Sequence, residues 1–165
     1  MPSHKSTSKH IEVHMEDKEL NPYRITIIGE QTVDGENNKI EVLTEGKFMR
    51  KHDHFYIGYR EYDEENPMKV YNNVIRVDED MVTISRTGPQ RSRLLLQKGK
   101  RHQCIYETVA GTLTIGVFTK MLNSTLGERG GMLEVSYTLD FNADLVSENC
   151  FHITVEKKEA QAKEE

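Results

Sequence analysis

The chain has 165 residues, 36% of them hydrophobic and 30% charged, with a formal net charge of -5. That length supports one domain with a real core, and the acidic balance disfavours nonspecific binding to nucleic acid or anionic membranes. No stretch approaches the about 18 apolar residues of a membrane helix, and MPSHKSTSKH shows no apolar run behind its basic residues, so neither a membrane span nor a secretory signal is expected.

Met1 to Asn21 is rich in Ser, His and charge and reads as a flexible extension (1–21) before a barrel domain (22–157). Tyr23 opens the first strand, with Tyr23, Ile25 and Ile27 on one face. Asp34-Gly35, with Glu36-Asn37-Asn38 behind it, is a turn signal, because Asp, Asn and Gly accept positive φ cheaply. Lys39 to Arg50 returns with Ile40, Val42, Thr44, Gly46 and Phe48 inward, and Gly46 is expected to mark a bulge or sharp bend. After the turn at Lys51 to His54 comes a third strand, Phe55 to Tyr62. Its aromatics lie on both faces, which leaves the inward set open.

Met68 to Val77 and Met81 to Thr87 are the fourth and fifth strands, the fifth carrying Arg86 in line with Val82 and Ile84. Arg91 to Lys98 and Arg101 to Val109 are two more, broken near Gly99. Thr112 to Leu122 places Leu113, Ile115, Val117, Thr119 and Met121 on one face. Asn123 to Gly131 is a loop with three glycines. In Met132 to Phe141, Leu133, Val135, Tyr137, Leu139 and Phe141 alternate with the wetter residues between them, the period of a half-buried strand. Asn142 to Asn149 reads as loop, Cys150 to Val155 as the last strand, and residues 158–165 as a charged tail.

These strand-length pieces, joined mostly by hairpin-length loops, predict an all-β fold: a closed antiparallel up-and-down β-barrel of eight to ten strands. Glu45-Gly46-Lys47-Phe48, Tyr59-Arg60-Glu61-Tyr62, Ile84-Ser85-Arg86-Thr87-Gly88, Tyr106-Glu107-Thr108, Gly111-Thr112-Leu113, Thr119 and Val135-Ser136-Tyr137 form an ordered set. That set, over about Ile25 to Val155, resembles the calycin-like barrel family of YwiB-type bacterial proteins. The resemblance implies a lipocalin-like barrel and implies little about activity.

Arg86 is the first candidate for chemistry, since an inward guanidinium needs a carboxylate, carbonyls or an anionic ligand. Tyr137 and Thr119 sit at inward parity among apolar residues, and Tyr106 is a further candidate lining residue. Against ligand roles stands the ordinary reading, in which such groups find one internal partner each. Arg91, Arg93, Lys98, Lys100 and Arg101 make, with Arg86, the one locally basic stretch. It reads either as a patch for a protein or nucleic-acid partner or as charges paired across the sheet.

Cys104 and Cys150 have no metal-type spacing and are expected to be reduced thiols in a cytoplasmic protein. His10 and His14 lack the H-E-x-x-H pattern, and His52, Asp53 and His54 are expected to be exposed in a turn, so no metal or cofactor is expected. Phosphate-loop and hydrolase templates are absent. The favoured expectation is a non-enzymatic module binding a small amphipathic or anionic ligand inside the barrel. The alternative is a filled barrel that docks a macromolecule through its basic strands. An isomerase or cyclase, with Glu30 or Glu107 as acid or base, is a third reading.

Overall fold

Alternation of period two along nearly the whole chain leaves it no solution other than sheet, and the sheet closes on itself. The computed structural model describes residues 22–158. Ten antiparallel strands follow in chain order: β1 Tyr23–Val33, β2 Glu36–Lys51, β3 His54–Tyr62, β4 Val70–Val77, β5 Met81–Thr87, β6 Ser92–Gln97, β7 Arg101–Thr108, β8 Gly111–Ser124, β9 Gly130–Phe141 and β10 Asp144–Lys157. Each pairs with its chain neighbours, and β10 pairs with β1 to close the barrel. The β1–β2, β3–β4, β5–β6, β7–β8 and β9–β10 turns therefore gather at one end, here the mouth. The other turns and both ends of the described chain gather at the floor.

The core follows from the inward parity. Ile25, Ile57, Val82, Leu96, Val117, Leu133 and Val135 are fully buried, which makes hydrophobic burial the main force holding the walls together. Near the floor, Phe48 stacks on Phe55 with ring centroids 5.8 Å apart and meets Tyr23 edge-on at 5.4 Å. β3 resolves its open choice in favour of Phe55, Ile57 and Tyr59, which face Val77, Ile75 and Asn73 of β4.

Several local expectations are corrected. Both β1–β2 and β9–β10 are two-residue hairpins, turning on the positive φ of Asp34 and Gly35 and of Asn142 and Ala143. Glu36 to Asn38 and Asp144 to Asn149 are consequently strand, not loop. A bulge lies between Thr119 and Met121, where β9 steps from Tyr137 to Ser136. It flips the parity of β8, so Leu122 is buried in place of Met121. Phe141 ends its strand 42% exposed. His54 is half-buried against Asp78 and Arg76, whereas His52 and Asp53 are exposed as expected. Lys158 is no part of a solvated tail: its N–H donates to the Pro22 carbonyl at 2.9 Å and its ammonium meets Glu45 at 3.0 Å. The extension 1–21, with His10 and His14, and the rest of the tail lie outside the described residues.

Gly46 is not a bulge. Registry runs through it uninterrupted, with Tyr23 on one side and Tyr59 on the other. A Cβ there would overlap the Gly58 carbonyl oxygen and come within 2.6 Å of Ile25 Cδ1. Gly29, by contrast, has nothing within 4 Å of its Cβ direction. Gly46→Ala is therefore expected to cost about 1–3 kcal/mol or more through overpacking. Gly29→Ala is expected to be neutral or to gain about 0.4–1 kcal/mol through the unfolded chain. Urea unfolding of the two variants checks both.

Candidate functional site

The registers carry polar side chains around the inner wall in two rows. One runs from Tyr59 to Asn73, Arg86, Ser92, Tyr106 and Leu113, across β3 to β8. The other runs from Asn38 through Gln31, Asn149 and Tyr137 to Thr119, across β2, β1, β10, β9 and β8. Arg86 and Tyr106 thus belong to the first row, Tyr137 and Thr119 to the second. The Tyr106 phenol lies near enough to Tyr137 to help raise that group's pKa.

Arg86 is inward, as its parity demands, with its side chain 29% exposed. Its guanidinium lies 3.7 Å over the Tyr71 ring, and one nitrogen meets Glu61 Oε2 at 3.3 Å. Asn73 donates to the other Glu61 oxygen at 3.2 Å, and the Tyr71 hydroxyl donates to Gln90 Oε1 at 2.8 Å. Gly88 lets Tyr71 lie this way, since a Cβ there would come within 2.8 Å of Tyr71 Cδ1. Arg86 therefore has its internal counter-charge, and the cluster is electrically balanced. Glu61 was legible in principle, because it shares parity with Phe55, Ile57 and Tyr59. Tyr71 and Asn73 are legible in the same way, at the parity of Ile75 and Val77, whereas Gln90, in a turn, carries no comparable signal.

Between the second row and the end of β2 the mouth opens into a hollow of about 200 Å³, lined by Gly29, Gln31, Ile40, Tyr137, Asn149 and Phe151 among others. Phe151 packs edge-on to Tyr137 with centroids 6.2 Å apart. A cleft of about 180 Å³ adjoins it and shares Glu30, Tyr137, Asn149 and Cys150. Thr119 is fully buried and its Oγ1 has no partner among the described residues. Such an orphan costs about 1–3 kcal/mol unless something bonds it.

The remaining candidates are distributed differently. Arg91 bonds Glu107 through its backbone N–H at 2.9 Å and its guanidinium at 3.4 Å. That contact holds Glu107 below the usual carboxylate range, the opposite of a poised acid. Arg101 makes a two-point bond to Asp140 at 2.6 and 3.0 Å, over Gly116, where a side chain would collide with both. Arg93, Lys98 and Lys100 are exposed, with Arg91 towards the mouth and the two lysines at the floor turn. Cys104 is buried and accepts the Leu95 N–H at 3.3 Å, and burial pushes its thiol pKa up. It serves where the β6–β7 ladder stops after Ser92 and Arg93. Both cysteines are free, and no metal-ligating cluster occurs among the described residues.

Burial, with Glu61 adding to it and Arg86 opposing it, raises the Tyr59 pKa to about 12; burial raises Tyr137 to about 12 as well. Both stay neutral hydrogen-bonding groups at physiological pH. A folded pKa above the unfolded one means stability present below about pH 10 and lost as pH climbs towards 12. The loss is at most on the order of 2–3 kcal/mol per tyrosine. Phenolate absorbance should show these two of seven tyrosines ionising last, and Tyr59→Phe or Tyr137→Phe should each flatten the alkaline fall in unfolding free energy.

The acid limb has the opposite sign. Arg101 depresses the Asp140 pKa, so the pair's contribution is present above the ordinary aspartate pKa and disappears as pH falls through the depressed value. Asp140→Asn should lower the thermal midpoint at neutral pH, with the gap to wild type closing in acid.

The family model described as a domain of unknown function, DUF1934, matches residues 25–153. The Bacillus subtilis (strain 168) protein named uncharacterized beta-barrel protein YwiB is 27% identical over 106 residues, spanning 64% of this chain and 72% of the relative. The crystal structure of ywiB protein from Bacillus subtilis aligns with a TM-score of 0.74 at 22% identity, covering 84% of this chain and 93% of that one, a likeness of fold. No helix among the described residues is long and apolar enough to cross a membrane. With the family match running from the first core residue of β1 to the last strand, the chain belongs to the DUF1934 family and has the barrel architecture that its relative's name states.

Proposed function

We propose that this barrel is a non-enzymatic binding module that takes one small amphipathic ligand at its mouth. The observation that carries the reading is the hollow at Gly29, where apolar Ile40 and Phe151 face the Tyr137 phenol. Apolar walls with a few convergent polar groups are the usual composition of a ligand site. Its volume is below the roughly 300–1,000 Å³ of ordinary pockets, which suits a short chain or single ring and excludes a large cofactor. Tyr137, Gln31 and Asn149 supply the orienting groups that line it, while Tyr106 and Thr119 lie behind the lining in the same two rows.

Of the two ligand classes, the amphipathic one draws more support than the anionic. Glu61 already neutralises Arg86, so a bare anion would meet a carboxylate beside its counter-charge. Arg86 then serves to fix Glu61 and Tyr71, and it is not among the residues that line the hollow. Docking of a macromolecule through the basic strands draws less support, because Arg91 and Arg101 are engaged by Glu107 and Asp140.

Octyl glucoside and octyl sulfate, both below their micellar concentrations, are suitable probes, read by intrinsic tyrosine fluorescence and calorimetry. The neutral probe is expected to bind one to one and more tightly than the sulfate. Gly29→Leu, which fills open space, should weaken it at least about tenfold, or 1.4 kcal/mol, without lowering the thermal midpoint. Equal binding by Gly29→Leu would reject the mouth as the site.

A further inference from the structure

β2 changes partners halfway along its length. Glu36 to Gly46 pairs with β1, and Gly46 to Lys51 pairs with β3. On the side that faces β3, the stretch Glu36 to Glu45 therefore has no strand beside it among the described residues, which leaves half its backbone N–H and C=O groups without a ladder partner there. Protected edges are short, bulged, covered, or interrupted by Pro and charge. This edge is long, contains neither Pro nor Gly, and has no break in register; its charges (Glu36, Lys39, Glu41 and Glu45) are of both signs, so they oppose pairing in some registers and favour it in others. It also displays Ile40, Val42 and Leu43 at 64%, 36% and 69% exposure.

We propose that two copies of the chain pair edge to edge through β2, antiparallel, about a two-fold axis at Ile40. The register follows from three constraints. Inner faces must meet inner faces, which requires the axis to pass at a residue and not between two. An axis at Glu41 would set that carboxylate against its own copy, a destabilising like-charge pair. An axis at Val42 would use Glu45, which Lys158 already holds at 3.0 Å.

At Ile40 the edge is self-complementary. Ile40 lies opposite Ile40 of the second copy, and Lys39 lies opposite the second copy's Glu41 on both sides of the axis. Main-chain bonds give such strand additions their affinity, and alternate side chains set their specificity. The chain's own N-terminal extension is the poorer occupant. Tyr23 sits opposite Gly46 on the β1 side of β2, so the chain enters the barrel across β2 from the free edge.

Sedimentation velocity of the full chain over a concentration series tests this. A monomer–dimer equilibrium in about the micromolar range is expected, as befits an interface of modest area. K39E and E41K should each weaken self-association at least tenfold, because each places like charges across the axis. An equimolar mixture of K39E and E41K should restore the dimer, because the mixed pair again sets Lys against Glu, and circular dichroism checks that each variant keeps its sheet. A wild-type chain that stays monomeric throughout the series would overturn the proposal, as would dimers indifferent to both swaps or a mixture no more associated than its components.

Discussion

The close backbone approach at Gly46 is the contact on which this barrel depends. At that one residue β2 is in register with Tyr23 of β1 and Tyr59 of β3 at once. The Gly58 carbonyl and the Ile25 side chain occupy the space a Cβ would need. Below Gly46 the strand joins β3 and the aromatic floor closes with Phe48 on Phe55. Above it the strand follows β1 away from β3. A floor packed with aromatics where β2 meets β3, and an open side of the mouth above it, are the direct consequence.

The same pivot explains why the polar groups sit where they do. Below it the inner wall carries Phe48, Ile57, Val77 and Val82, whose burial leaves no room for an unpaired charge. Arg86, Glu61, Asn73 and Tyr71 lie on β3 to β5 at and above the level of Tyr59, where the wall beside β2 is missing. There the guanidinium keeps some solvent contact while Glu61 and the Tyr71 ring satisfy it. A charge pair of this kind contributes little net stability. Its effect is to fix which way four side chains point, and so to shape one wall of the mouth.

Period-two alternation made the architecture legible, because it names the inner face wherever it is unbroken. Leu133 and Val135, the inward direction of Arg86 and the burial of Thr119 all follow from it. It fails where the backbone gains or loses a residue. The bulge at Lys120 exchanges Leu122 for Met121, and composition gives no sign of it. It is ambiguous where both faces bear aromatics, which hides the inward direction of Glu61 although it shares the parity of Ile57. It says nothing of partners two strands or a turn away, such as Gln90 for Tyr71 or Asp140 for Arg101. Those depend on shear and on glycines such as Gly88 and Gly116 that admit a side chain across the backbone. The two-residue hairpins are hidden for a related reason: Asn and Asp beside Asp34-Gly35 and Asn142-Ala143 look like loop, yet a tight turn lets them serve as strand.

Ile40 ties the mouth to the free edge. Its side chain points to the inner face and lines the hollow, while its backbone belongs to the unpaired rim of β2. In a strand these directions are perpendicular, since side chains leave the sheet face and hydrogen bonds lie within the sheet. A second copy added along the edge would therefore extend the wall without entering the hollow. It would also fix the part of β2 that β3 leaves unsupported, lowering the entropy that a ligand must remove when it settles against Ile40. The two proposed uses of the segment would reinforce each other, and both would trace to the residue at which β2 turns from one neighbour to the next.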